Sequence, residues 1–250
     1  MFVAVLIVGT ATLFTTAEIK VECAEIENSP EKVSDKSVSA LNYYKGKSLL
    51  FVNKDRLVKT LAAATPYAEI LKVKKIYPNR ISVKIAERKE YFALKSNDKY
   101  YILGKDFKVL KESLSPNNNI DGNPLAVMTI AASDYNYGDL RVNAYMNIGD
   151  GSTKAALLTS ADNLLAFRGT SFCGEISLKV YENGRRFPVL TVKTVEGAKF
   201  HLFEFDDEPL LKIAAAYKRY TETEDKSVGE FAVVKMNDGT IIVNSDYKPN

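Results

Sequence analysis

One histidine and a short run of carboxylates are the residues of this chain best suited to chemistry. His201 stands in the stretch Lys-Phe-His-Leu-Phe-Glu-Phe, and Glu204, Asp206, Asp207 and Glu208 follow it directly. A hydrolase built on serine or cysteine needs an imidazole to take the nucleophile's proton, so any such site here has to use His201. No Gly-x-Ser-x-Gly elbow accompanies it. The histidine lies in a strand-like run, where a hydrogen-bonded structural role is the simpler reading. Paired carboxylates could do acid–base work without it. The acidic run, however, alternates with Phe205 and precedes an apolar helical pattern, which makes charge at a helix N-terminus the simpler account.

Other chemistries leave less trace. Cys23 and Cys173 are far apart, no Cys-x-x-Cys occurs and only one histidine is present, so a zinc site of the usual kind is excluded. Two free thiols are preferred to a disulfide. There is no Walker loop and no Gly-x-Gly-x-x-Gly. The chain is therefore read as a non-enzyme, with no cofactor and no metal.

What remains is the scaffold. With 46% hydrophobic and 26% charged residues and no low-complexity tract, the composition is globular. The net charge of +3, from 34 basic and 31 acidic residues spread along the chain, argues against a dedicated nucleic-acid binder, which would cluster its basic residues on one face.

Residues 2–17 form a long uncharged apolar run. As a helix it would span roughly 25 Å, close to the thickness of a bilayer core. A single transmembrane helix over residues 1–17 is expected, its cytoplasmic flank lying before the first residue. A signal peptide would need a basic n-region, which is missing, and Gly9 among the threonines suits a buried strand poorly.

A strand is expected over 18–26, with Ile19, Val21 and Cys23 on one parity. Ser34 and Asp35 could cap a short helix carrying Val38 and Leu41, and Gly46 would end it. After the apolar turn of Leu49, Leu50, Phe51 and Val52, Asn53 could cap a second helix with Leu57, Val58 and Leu61 on one face, and Pro66 would stop it. Residues 70–94 then read as a hairpin about Pro78 and Asn79, with Ile81, Val83 and Ile85 inward. The order is β-α-α-β-β.

On these residues the chain resembles the FtsQ/DivIB family of cell-division proteins, whose first extracytoplasmic module is a polypeptide-transport-associated (POTRA) domain. The likeness is carried by Gly46, residues 48–53, Leu57, Leu61, Pro66, Val73, Tyr77-Pro78, Ile81, Val83 and Ala86-Glu87-Arg88. The run YPNRISVKIAER is its best marker, with Pro78, Ile81, Val83, Glu87 and Arg88 as the POTRA signature. The resemblance implies an α+β fold: a transmembrane helix over 1–17, a POTRA domain over 18–91, and a mixed β-domain over 92–250 with a mainly antiparallel sheet.

The second part reads accordingly. Short strands are expected at 100–103, 107–110, 125–130, 175–181, 189–194 and 199–205, and amphipathic helices at 155–167 and from Asp206 through Tyr217, the latter carrying Leu210, Leu211, Ile213, Ala214 and Tyr217. Residues 115–123 are loop chemistry, and 133–151, with DYNYGD and NIGDG, are read as a surface loop rather than a stacking site. Asn237-Asp238-Gly239 marks a final hairpin.

The resemblance implies a non-enzymatic scaffold in the cell membrane at the division septum. Its expected partners are small coiled-coil membrane division proteins of the FtsB/DivIC and FtsL type and, through them, septal peptidoglycan synthase; nucleic acid is not expected. In the family the C-terminal strands offer an edge for strand addition, which here places the candidate partner site at Phe231, Val233 and Lys235 on one strand and Ile241 and Val243 on the next. Lys72, Lys74 and Lys84 could touch an anionic surface, against the simpler reading of a solvated strand face. The competing functions are an exported POTRA-bearing protein of secretion or sporulation and a membrane-tethered hydrolase using carboxylates.

Overall fold

The computed structural model describes residues 14–27, 29–116, 125–130, 140–147, 151–167, 170–183 and 185–245. The chain divides between Lys89 and Glu90 into two units.

The first unit follows the β-α-α-β-β order. Strand β1 (Glu18–Ala24) leads to helix α1 (Val33–Leu41), a 3-10 turn (Asn42–Tyr44), helix α2 (Lys54–Ala64) and the hairpin of β2 (Ala68–Ile76) and β3 (Arg80–Glu87). The sheet order is β1-β3-β2, with β1 parallel to β3 and β2 antiparallel to it. Strand β3 is central because Ile81, Val83 and Ile85, all of one parity, are fully buried. Both helices contribute one stripe to this core: Val33, Ser37 and Leu41 from α1, Leu57 and Leu61 from α2.

The expected transmembrane helix is overturned. No helix among the described residues is long and apolar enough to cross a membrane. Residues 14–17, which that helix would include, are not helical. Thr15 bridges Ser48, and the amides of Thr16 and Ala17 donate to the carbonyls of Lys47 (2.8 Å) and Asn79 (2.9 Å). Their backbone groups are matched to other parts of the chain, which a helix would forbid. Residues 1–13 lie outside the described residues.

Smaller differences share one cause, tertiary packing choosing among near-equivalent positions. Val38 and Val58 face solvent while Ser37 is buried. Ser34 does not cap α1; its amide donates to the Glu25 carboxylate at 2.7 Å, and Lys32 holds the cap position with φ 46°. Asn53 does cap α2, its Oδ1 accepting from the amides of Asp55 (2.7 Å) and Arg56 (3.2 Å). The stretch 70–94 is two things: its last residues belong to the other unit's sheet.

That second sheet has nine strands, numbered β4 (Phe92–Ser96), β5 (Lys99–Leu103), β6 (Val109–Ser113), β7 (Val127–Ile130), β8 (Glu175–Asn183), β9 (Arg185–Lys193), β10 (Lys199–Phe203), β11 (Glu230–Lys235) and β12 (Ile241–Asn244). Their spatial order is β12-β11-β10-β9-β8-β7-β4-β5-β6. The pairs β4·β7, β7·β8 and β10·β11 are parallel and the other neighbours antiparallel. Helices α3 (Gly151–Ala166) and α4 (Pro209–Glu222) contribute to the main core with Leu157, Ala161, Leu164, Ile213 and Ala216. The expected loops at 115–123 and 133–151 fall largely outside the described residues.

Candidate functional site

Strand addition needs a row of unpaired main-chain groups, and the sheet edges differ in the devices that blunt them. Strand β2 carries a bulge between Ile70 and Lys72 and exposes Lys72 and Lys74. Strand β1 alternates exposed Glu18, Lys20 and Glu22. Strand β6 is charged by Lys111 and Glu112, and residues 143–144 cover its start: the Val109 amide donates to the Ala144 carbonyl and the Asn143 amide donates to the Val109 carbonyl, both at 2.8 Å. Strand β12 reads Ile-Ile-Val-Asn and holds no charge.

The phase of the β11–β12 ladder decides which groups of β12 are free. Around the Asn237-Asp238-Gly239 turn, where Gly239 takes φ 87°, the Met236 amide donates to the Thr240 carbonyl at 2.8 Å. In an antiparallel pair hydrogen-bonded and non-hydrogen-bonded pairs alternate. Val234–Ile242 and Ala232–Asn244 share the phase of that bond and so point their main chains at each other. Ile241 and Val243 lie in the intervening pairs, and their N–H and C=O groups turn to the open side.

The expected partner site is therefore corrected in part. Strand β11 is no edge, being paired on one side to β10 and on the other to β12. Val233 is fully buried; Phe231 is 5% exposed and stacks on Phe200 with ring centroids 4.8 Å apart. Lys235 is held by Asp207 at 3.1 Å, with Glu208 at 3.9 Å. Only Ile241 and Val243 belong to the open strand, half-buried on the helix side. Helix α4 packs against β12 and exposes Leu210 and Leu211.

Magnitudes say what this edge can do. Two residues can offer about four main-chain hydrogen bonds worth roughly 1 kcal/mol each, which alone gives about millimolar affinity. Side chains next to the edge have to supply the rest.

The residues first weighed for catalysis make well-defined contacts. His201 sits on the sheet face away from the helices, with Nδ1 2.9 Å from the Thr191 hydroxyl and Nε2 3.9 Å from Glu230. Burial pushes its pKa below the usual histidine range, partly opposed by Glu230. The acidic run does not start α4, since Pro209 does, preceded by Glu208 at φ 51°. It wraps instead around Lys212, a fully buried ammonium that sequence patterning did not single out. Lys212 Nζ donates to the carbonyls of Glu204 (2.7 Å) and Asp207 (2.6 Å), and the Asp206 carboxylate accepts from the Ser152 hydroxyl at 2.9 Å. Burial lowers the Lys212 pKa. Burial also raises the thiol of Cys173 to about 12 and that of Cys23 to about 11, far from reactive thiolates.

In the first unit the marker residues have structural duties. The Glu87 carboxylate accepts from the Ile26 amide at 2.9 Å and from the Ser29 hydroxyl, tying down the connection from β1 to α1. Arg88 donates from its guanidinium to the Ala68 carbonyl and from its amide to Tyr67 at 2.8 Å. Pro78, after a cis peptide bond, occupies the exposed hairpin turn. Lys72 and Lys84 lie directly opposite each other, with Lys74 on the same face, while Glu22 of β1 stands across from Lys84. Comparison with known proteins returned no matching family model and no matching curated sequence.

Proposed function

We propose that this protein is a non-enzymatic scaffold of the FtsQ/DivIB kind, acting outside the cytoplasm at the division septum. It takes an extended segment of a small coiled-coil division protein of the FtsB/DivIC or FtsL type onto β12, and through such partners meets septal peptidoglycan synthesis. The observation that carries this reading is the uncharged β12 edge, where Ile241 and Val243 offer main-chain groups to the open side; helix α4, packed on β12, exposes Leu210 and Leu211. The YPNRISVKIAER run and the β-α-α-β-β order support it.

A fluorescent fusion in dividing cells tests the assignment. A band at the septum is the expected result. A diffuse signal throughout division would overturn it and favour a polypeptide-handling role in secretion or sporulation.

A further inference from the structure

The turn before α2 gives the first unit an unusual surface. At the turn before α2, Phe51 is 88% exposed and Leu50 51%, and Tyr43 nearby is 60% exposed. Apolar side chains of this size, gathered on one turn, mark contact with another phase or another molecule. Beside them runs a groove of about 320 Å3, lined among others by Tyr43, Tyr44, Lys47, Phe51 and Arg56. Lys47 lies over the Tyr43 ring at 5.1 Å, and neither Lys47 nor Arg56 makes an ion pair with a described residue.

Charge decides what kind of surface this is. Between Asn42 and Thr60 stand Lys45, Lys47, Lys54, Arg56 and Lys59 against one carboxylate, Asp55, and all six are exposed. This short segment thus carries more positive charge than the whole chain's net +3. The hairpin turn reaches the same end: Tyr77, 56% exposed, packs edge-on against Phe14 at 6.0 Å, and the Phe14 carbonyl accepts from the Leu49 amide at 2.7 Å. Lys75 Nζ donates to the Leu50 carbonyl at 3.4 Å, adding a cation at the base of the tip.

An apolar tip with aromatic neighbours, ringed by cations and flanked by a groove whose Lys47 and Arg56 make no ion pair among the described residues, matches the layered chemistry of an anionic bilayer surface. Acyl chains would take Leu50 and Phe51, the interfacial layer would take the tyrosines, and lipid phosphates would meet Lys47 and Arg56. We infer that the 43–56 turn of the first unit docks on anionic phospholipid, with Leu50 and Phe51 inserted and Lys47 and Arg56 on the headgroups. This contact is independent of β12. It also differs from the lysine face of β2 and β3, where Glu22 offsets Lys84.

The chain has no tryptophan, so Phe51→Trp places a single emitter at the tip of the full-length protein. Vesicles of phosphatidylcholine with about one phosphatidylglycerol in three should shift its emission to the blue, and brominated acyl chains should quench it. Phosphatidylcholine alone should do neither. Adding Lys47→Glu and Arg56→Glu, both at exposed positions, should weaken the shift about tenfold or more while circular dichroism stays unchanged; Lys47→Gln with Arg56→Gln should weaken it less. Emission unmoved by anionic vesicles would overturn the inference, as would a shift that survives both charge reversals. A shift produced by a poly-glutamate peptide and not by vesicles would overturn it in favour of an acidic polypeptide.

Discussion

Val233 of β11 faces Val243 of β12 in a pair whose main chains point away from each other. For Val233 the away side is β10; for Val243 it is open. Two neighbouring valines on the same sheet face thus differ completely in what their amides can do, and their substitution should separate binding from folding.

Val243→Pro removes an N–H that no described strand uses, in an edge strand that tolerates proline. Co-purification with a coiled-coil division partner should be lost while the urea midpoint stays close to wild type. Val233→Glu should instead unfold the second unit, because it buries a carboxylate in the main core. Retained partner binding by a folded Val243→Pro protein would rule out strand addition at β12.

Lys212→Met should destabilise the second unit by about 1–2 kcal/mol, since the carbonyls of Glu204 and Asp207 lose a charged donor. Denaturant unfolding measures it directly. An unchanged midpoint would mean that the acidic loop does not depend on the ammonium it encloses.

His201 should make stability fall on mild acidification. Its folded pKa is lowered by burial, with Lys199 and Lys179 adding to the effect and Glu230 opposing it. The unfolded chain therefore takes up the proton first. The histidine's contribution is complete above its unfolded value and declines as pH drops from there through the folded value, with a slope no steeper than about 1.4 kcal/mol per pH unit. It is the sole histidine, so His201→Gln should flatten the urea-midpoint profile between about pH 7 and pH 6. Superimposable profiles for the two proteins would contradict this.

Much of the local architecture was legible because it rests on periodicity and caps. Ile81, Val83 and Ile85 alternate and are buried; Asn53 precedes an apolar helical stripe and caps it; Asn237-Asp238-Gly239 turns a hairpin. The candidate site was half legible. Both strands of the last hairpin are short apolar runs, and nothing in their residue types says that β10 pairs with β11 rather than leaving it open. The exposure of Leu50 and Phe51 had one available signal: a short turn with Leu49, Leu50, Phe51 and Val52 in succession cannot bury them all, and Leu49 and Val52 are the buried ones.

The sequence by itself determined the elements that obey local rules: the order β-α-α-β-β, the Asn53 cap and the turns named above, and the lack of familiar catalytic motifs. Only the tertiary structure decided what depends on neighbours distant in the chain. It paired residues 14–17 with the 46–49 turn and with Asn79, where an uncharged run had suggested a helix. It buried Lys212 in a position that helical periodicity could equally have left to solvent, because the carbonyls of a separate loop meet its ammonium. It also placed β12 at the rim. An edge is a property of the whole sheet's order, and no residue of a strand encodes which strands will lie beside it.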